Sequence, residues 1–218
     1  MTAGLTVFAA IGLVAAAVFA ARELVVSGEA AAAVVVGSFL TYVAVAEATV
    51  GRARVRRQAT TRSAVGVARW APTFAWVPYL IVALHLGPEL SVDATVRWVG
   101  VALTVAGVAF ALWALATLGR HFDLEVEVHR DHEVVRSGPY RVVRHPIYAG
   151  LLAHTAGACL ATGNVLLAAG SALVTLPLLY YRAHVEEQLL RAQLDAAYDD
   201  YARKVGMLLP FVGRAPAK

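Results

Sequence analysis

Between residues 137 and 150 the chain reads Ser-Gly-Pro-Tyr-Arg-Val-Val-Arg-His-Pro-Ile-Tyr-Ala-Gly, and from Arg182 it reads Arg-Ala-His-Val-Glu-Glu. Phenols, an imidazole, guanidinium groups and paired carboxylates are thus gathered in two short stretches, each set directly against an apolar run. Pro146 suits the first turn of a helix, where its missing amide proton costs nothing. The free amides beside it, and the positive end of the helix dipole, would welcome a carboxylate such as the amino-acid end of a cofactor. Tyr140 and Tyr148 would add aromatic surface and hydrogen bonding. Taken alone, Arg144-His145-Pro146 reads more readily as an interfacial anchor. Arg182 and Glu186 stand i and i+4 on one helix face, which on an exposed helix is a weak salt bridge. Directly after an apolar span, however, they share a membrane depth with His145, so a pocket roofed by both segments costs little to build. There Glu186 could bind ribose hydroxyls or an ammonium group, and Arg182 an anionic substrate.

The elements that must position these groups are membrane helices. The 218 residues are 59% hydrophobic and only 16% charged, with a mean hydropathy of +0.64, more apolar than one water-soluble core can hide. Apolar runs lie at about 3–20, 30–50, 70–86, 98–118, 147–162 and 165–181, each near the length of a bilayer span. The fold expected is therefore all-α: a polytopic bundle of about six membrane helices with an amphipathic cytoplasmic helix after Arg182. It forms a single membrane domain, with N-terminal helices over 1–118 and a catalytic region over 119–218. The first run lacks a basic flank and a second follows closely, so it is kept as a span rather than a signal peptide. Gly163-Asn164 marks a turn and makes the last two runs a tight helical hairpin.

All basic residues but Arg22 and Arg97 fall in the loop after the second run, the loop after the fourth, or the tail. The positive-inside rule then puts both chain ends, the 119–146 loop and the 182–218 tail in the cytoplasm. The net charge of +4 serves topology and contact with anionic lipid heads, not nucleic acid. The lack of a signal peptide and the single cysteine, Cys159, suit a prokaryotic inner membrane and exclude an internal disulfide. From Phe122 to His129 apolar and polar residues alternate, which predicts a short extended segment. His121, His129, Asp131 and His132 lie nearby, but their mixed spacing specifies no metal site, and none is expected. Glu47, His85 and His154 are polar groups within spans. Glu47 is close enough to the boundary to snorkel, and His154 would either line a substrate path or join helices by a hydrogen bond. Gly150, Gly157 and Ala161 predict close helix packing. No Gly-x-Gly-x-x-Gly turn supports a soluble nucleotide-binding sheet.

Gly138-Pro139-Tyr140, then Arg144-His145-Pro146-Ile147-Tyr148-Ala149-Gly150, an apolar hairpin, Glu186-Glu187, Tyr198 and Tyr201, and Leu209-Pro210-Phe211 occur in order. Over residues 119–211 this composite resembles the isoprenylcysteine carboxyl methyltransferase family and its phospholipid methyltransferase relatives. The resemblance implies a membrane methyltransferase that binds S-adenosyl-L-methionine at the cytoplasmic face and methylates a lipophilic acceptor drawn from the bilayer. Position by position, the family's cofactor contacts fall on Glu125, His132, Glu133, Val134, Val135, Tyr140, His145, Pro146, Ile147, Tyr148 and Glu186. Its substrate-side arginine falls on Arg182. If the acceptor is a carboxylate, Arg182 orients it and no base is needed; for an amine or thiol, His145 or Glu187 would take the proton. The chain departs from the pattern at Glu125, where a neutral polar residue is usual, and at Leu194-Asp195, where a Phe-Gly pair usually stands. Lys204 and Gly206 replace an arginine and a proline. Within the family, phospholipid N-methylation and small-thiol S-methylation are alternatives. A sterol-reductase-like enzyme using NADPH is disfavoured by Ile147 and Leu151, and a non-enzymatic membrane scaffold is a third reading.

Overall fold

A computed structural model of the chain describes residues 30–54, 60–63, 86–118, 127–129 and 134–214. The elements over these residues are helix α1 (Ala30–Arg54), strand β1 (Thr60–Ser63), α2 (Ala94–Leu118), β2 (Glu127–His129), a 3-10 turn (Gly138–Arg141), α3 (Pro146–Thr162) and α4 (Val165–Gly170). A π-helical turn (Ser171–Thr175) then leads into α5 (Leu176–Lys204). The expected spans over 3–20 and 70–86 fall almost wholly outside the described residues, as do His85, His121, Glu125, Asp131, His132 and Glu133. Of the extended segment expected over 122–129, the described part is a strand: β2 pairs antiparallel with β1, Ser63 facing Glu127.

Among the described residues two helices, α2 and the continuous stretch from Val165 to Lys204, are long and apolar enough to cross a bilayer. At 1.5 Å per residue α2 is about 37 Å long, more than the ~30 Å hydrocarbon core requires. Trp98 and Trp113, both more than half exposed, stand about 22 Å apart along it, the placement of interfacial aromatic anchors. Val99, Val105, Leu160, Leu166, Leu173 and Val174 are also exposed, and such a surface requires lipid as its solvent.

Helices α2 and α3 pack antiparallel at backbone contact. Gly107 lies against Gly150 and His154, and Gly100 against Gly157 and Ala161; a Cβ on Gly107 would come within 2.5 Å of the His154 amide nitrogen. This is the close packing of small residues predicted for Gly150, Gly157 and Ala161, completed by glycines on α2. Helix α1 covers both. Val35 and Val36 meet Ala158 and Ala161 at one end, and Tyr42 and Ala46 meet Ala111, Leu115 and Ile147 at the other. His154 is fully buried, with Nε2 3.1 Å from Ser38 Oγ on α1. It is the interhelical hydrogen bond of the two readings.

The Gly163-Asn164 turn forms as expected. Gly163 takes φ +68° as the left-handed cap of α3, a conformation that glycine adopts without cost. Asn164 Oδ1 accepts from the Leu167 amide at 2.8 Å and caps α4. The turn is held against residues 86–90, where Leu90 N donates to Gly163 O, Val165 N to Pro88 O and Asn164 Nδ2 to Leu86 O. The amphipathic helix expected after Arg182 is not a separate element. No breaker stands at Tyr181-Arg182, so α5 runs out of the membrane unbroken as far as Asp195, whose φ of 43° and ψ of −123° interrupt it.

Candidate functional site

The site sits where α3 begins and α5 leaves the apolar layer. Pro146 occupies the first helical position of α3, with His145 as its N-cap residue. Ahead of it, the chain is fixed by the tail: Val143 bridges Gly206 in parallel, Arg144 N donates to Gly206 O at 2.8 Å and His145 N to Met207 O at 3.1 Å. A two-rung ladder between segments sixty residues apart therefore sets where the imidazole stands.

Arg144, an interfacial anchor on the reading of its tripeptide taken alone, is almost wholly buried. Its Nε donates to Glu187 Oε1 at 2.7 Å, with Nη2 2.6 Å from the same oxygen. Nη1 donates to the carbonyls of Ala202 and Val205, and Nη2 donates to that of Gly213. The planar fork thus joins α5 to the tail beyond it, which a lysine could not do. Glu187 also accepts from His145 Nε2 at 3.3 Å and lies 3.5 Å from Arg191. Burial pushes its carboxyl up, but the hydrogen bonds and positive charge of His145 and Arg144 together outweigh this and hold it below its ordinary range.

On the other side of His145 stands Glu186, with Oε2 3.7 Å from Nδ1. The imidazole lies flat against the Tyr148 ring, the centroids 5.6 Å apart and the planes 9° from parallel. The Tyr148 hydroxyl donates to Glu186 Oε2 at 2.8 Å and accepts from Arg182 Nε at 2.8 Å. Arg182 and Glu186 share a face as predicted, and the tyrosine of α3 bridges them. Arg182 is buried, while the Glu186 side chain keeps 32% of its surface exposed, so one end of this relay is open to a ligand.

Residues 134–141 and the end of α5 close the surround. The Tyr201 hydroxyl donates to Tyr140 O at 2.6 Å. Arg136 donates to Ala197 O, reaches Asp200 at 3.3 Å and lies over the Tyr201 ring. Desolvation raises the phenols of Tyr198 and Tyr201 above their ordinary range. Val134 packs beside Tyr198 and Tyr201, and Val135 beside the cluster that buries Tyr140 and Ile147. Lys204 is exposed and paired with Asp200 at 3.0 Å, a surface contact.

The structure therefore brings together Tyr140, His145, Pro146, Ile147, Tyr148, Arg182, Glu186 and Glu187, with Val134 and Val135 at the margin; Glu125, His132 and Glu133 lie outside the described residues. Among the described residues no group of histidine, cysteine and carboxylate side chains could hold a metal. The reading of the sequence missed Arg144 as the hub and Tyr148 as the bridge. The signal for both was present: an arginine and a tyrosine flanking a helix start, opposite a pair of adjacent glutamates.

Comparisons with known proteins bear on the chain's family and fold. A family model described as isoprenylcysteine carboxyl methyltransferase (ICMT) matches residues 99–192. A probable protein-S-isoprenylcysteine O-methyltransferase of Oryza sativa subsp. indica is 33% identical over 144 residues, covering 65% of this chain and 75% of the relative. Protein-S-isoprenylcysteine O-methyltransferase A of Arabidopsis thaliana is 30% identical over 134 residues, covering 61% of this chain and 68% of the relative. These two relatives are plant proteins and lend nothing to the prokaryotic placement. The solved structure of the eukaryotic intramembrane Ras methyltransferase ICMT matches 96% of this chain and 76% of its own, with a TM-score of 0.61 at 20% identity, a likeness of fold. With these matches beside the polar cluster at the helix ends, the chain belongs to the isoprenylcysteine carboxyl methyltransferase family and is a membrane methyltransferase.

Proposed function

We propose that the protein methylates the carboxylate of an isoprenylcysteine, or of a related lipophilic acid, with S-adenosyl-L-methionine as donor, at the cytoplasmic face of its membrane. The observation that carries this reading is the relay from buried Arg182 through Tyr148 to the open carboxylate of Glu186, with His145 stacked on the tyrosine. These residues fit the donor. Glu186 offers an acceptor for ribose hydroxyls or an ammonium group, His145 and Tyr148 a flat surface, and the first turn of α3, which opens at Pro146, the Ile147 and Tyr148 amides, without partners inside the helix, for a carboxylate. Val134, Val135 and Tyr140 border this place, and Glu125, His132 and Glu133 join the set through the family resemblance. When bound, the donor supplies an electrophilic sulfonium methyl group.

What the protein must do is align and exclude water. Arg182 orients the acceptor carboxylate, itself held in one rotamer by the Tyr148 hydroxyl. A carboxylate acceptor gives up no proton, so no general base is required. Glu187, with both oxygens committed to Arg144, His145 and Arg191, serves to position His145. The acceptor arrives from lipid along the exposed apolar face of the bundle.

The whole chain forms one membrane domain of six spans, its first part over 1–118 and its catalytic part over 119–218. β1, ending at Ser63, pairs with β2 in the loop between α2 and α3, at their site end; Leu86 binds the turn at the far end. That placement is what a third span over 70–86 requires. Orientation with both chain ends in the cytoplasm follows from the clustering of arginines at the site end. The test is methyl transfer from labelled donor to an isoprenylcysteine by purified protein in lipid nanodiscs, read by mass spectrometry. A base-labile methyl ester is expected. A base-stable methyl adduct, or no adduct, would overturn the carboxylate reading.

A further inference from the structure

Apart from Thr175, every buried side-chain hydroxyl of serine or threonine described in the membrane helices finds a partner, Ser38 at Val35 O and His154, Thr104 at His154 O, and most follow one habit. Thr41, Thr49, Thr117, Thr155, Thr162 and Ser171 each donate to the carbonyl four residues earlier, at 2.6 to 2.9 Å. Back-bonding of this kind is how a hydroxyl avoids standing unpaired in hydrocarbon. Thr175 breaks the habit. It is 2% exposed, and its Oγ1 has no hydrogen-bond partner among the described residues.

Thr175 closes the π-helical turn Ser171–Thr175, in which the Leu176 amide reaches back to Ser171 O. Ser171 O is the carbonyl four residues before Thr175, and in this wider turn the Thr175 hydroxyl does not bond to it. Such turns cost stability and are frequent at functional sites. A buried, unpaired hydroxyl costs more again. Among the described residues no hydrogen bond offsets the unpaired hydroxyl.

Position along the helix supplies the explanation. Thr175 precedes Arg182 by seven residues, two turns, so it lies on nearly the same face about 10 Å deeper in the membrane. Leu179, also fully buried, stands between them. Helical side chains lean toward the N-terminal end, so the Arg182 stem closes much of that distance.

We infer that Thr175 is a specificity-determining residue, whose hydroxyl donates a hydrogen bond to a polar atom at the neck of the lipophilic acceptor, between the carboxylate held by Arg182 and the hydrocarbon tail. This rests on the function proposed above, and in an isoprenylcysteine that atom is the thioether sulfur. The unpaired hydroxyl discriminates because an acceptor without such an atom leaves it unpaired still.

The test uses the full chain in nanodiscs, with Thr175→Val, which keeps the shape and removes the hydroxyl, and Thr175→Ser, which keeps the hydroxyl. Acceptors are an isoprenylcysteine and its analogue with methylene in place of sulfur. For Thr175→Val the acceptor KM should rise about 2- to 10-fold, the worth of one hydrogen bond, with kcat and donor KM unchanged. Its melting temperature should rise by about 2–4 °C, because an unsatisfied group has been removed. Thr175→Ser should keep the parental KM, and the methylene analogue should not distinguish Thr175→Val from the parent. An active, more stable Thr175→Val with unchanged KM, an equal KM rise on both acceptors, or a lowered melting temperature would overturn the inference alone. No methyl transfer by the unaltered chain would overturn the functional reading beneath it.

Discussion

Replacing Arg144 by methionine removes a side chain that ties α5, the tail and the helix start together. In the folded protein the guanidinium keeps 2% of its side-chain surface and its partner Glu187 8%, so neither charge has water to fall back on. Breaking a buried pair by removing one member costs about 3–5 kcal/mol. The carbonyls of Ala202, Val205 and Gly213 lose their donor as well, at up to about 1 kcal/mol each where water cannot replace it. Against a typical total of roughly 5–15 kcal/mol, Arg144→Met should lower the melting temperature by at least 10 °C and open the tail to trypsin near Arg203 and Lys204. Arg144→Lys should fall between, since it keeps the charge beside Glu187 but cannot reach the three carbonyls. Arg144→Met combined with Glu187→Gln should recover part of the loss, because the stranded charge is gone. Thermal unfolding in one detergent, with limited proteolysis alongside, reads all three. Arg144→Met melting within 1 °C of the parent, its tail still protected, would refute the hub.

Asp195 holds φ 43° and ψ −123°, a region that favours glycine, so Asp195→Gly should stabilise the protein by about 1 kcal/mol in thermal unfolding; a loss of stability would mean the backbone there is relaxed. Gly107→Val places a side chain where a Cβ already meets the His154 amide at 2.5 Å and Gly150 O at 2.6 Å, and should abolish the folded, monodisperse form in size-exclusion chromatography, whereas Gly37→Ala, with open space around it, should not. The Glu187 carboxyl is held below its ordinary value of 4.5, so its contribution to stability is complete above that pH and is lost as pH falls below it. Melting temperatures at pH 7 and pH 4 should therefore fall further in the parent than in Glu187→Gln, and equal falls would contradict the pairing.

Much of this architecture is legible in the residues, because hydropathy runs and helix-start chemistry are local. The Gly163-Asn164 hairpin, Pro146 at the head of a helix and the small-residue stripe on α3 all form as the pattern predicts. His145 and Glu186, forty-one positions apart, do meet. What could not be read is what depends on partners far along the chain. Arg144 looks like any interfacial arginine until the tail folds back to offer three carbonyls. Tyr148 becomes a bridge only when α3 and α5 fix its distance from both charges. Asp195 is instructive in another way: the resemblance places a glycine there, and the backbone keeps a glycine-like conformation with an aspartate in place. The π turn at Ser171–Thr175 has no signature in an apolar run.

Calorimetric binding of S-adenosylhomocysteine to the parent chain and to Glu186→Gln and Tyr148→Phe, each first shown to be folded by its melting curve, decides whether the donor lies at the relay. The parent should bind, Glu186→Gln should lose about tenfold or more through the missing carboxylate, and Tyr148→Phe, whose ring remains stacked on His145, should lose less. Equal affinity in all three proteins would contradict the claim that the donor lies between the start of α3 and the relay on α5.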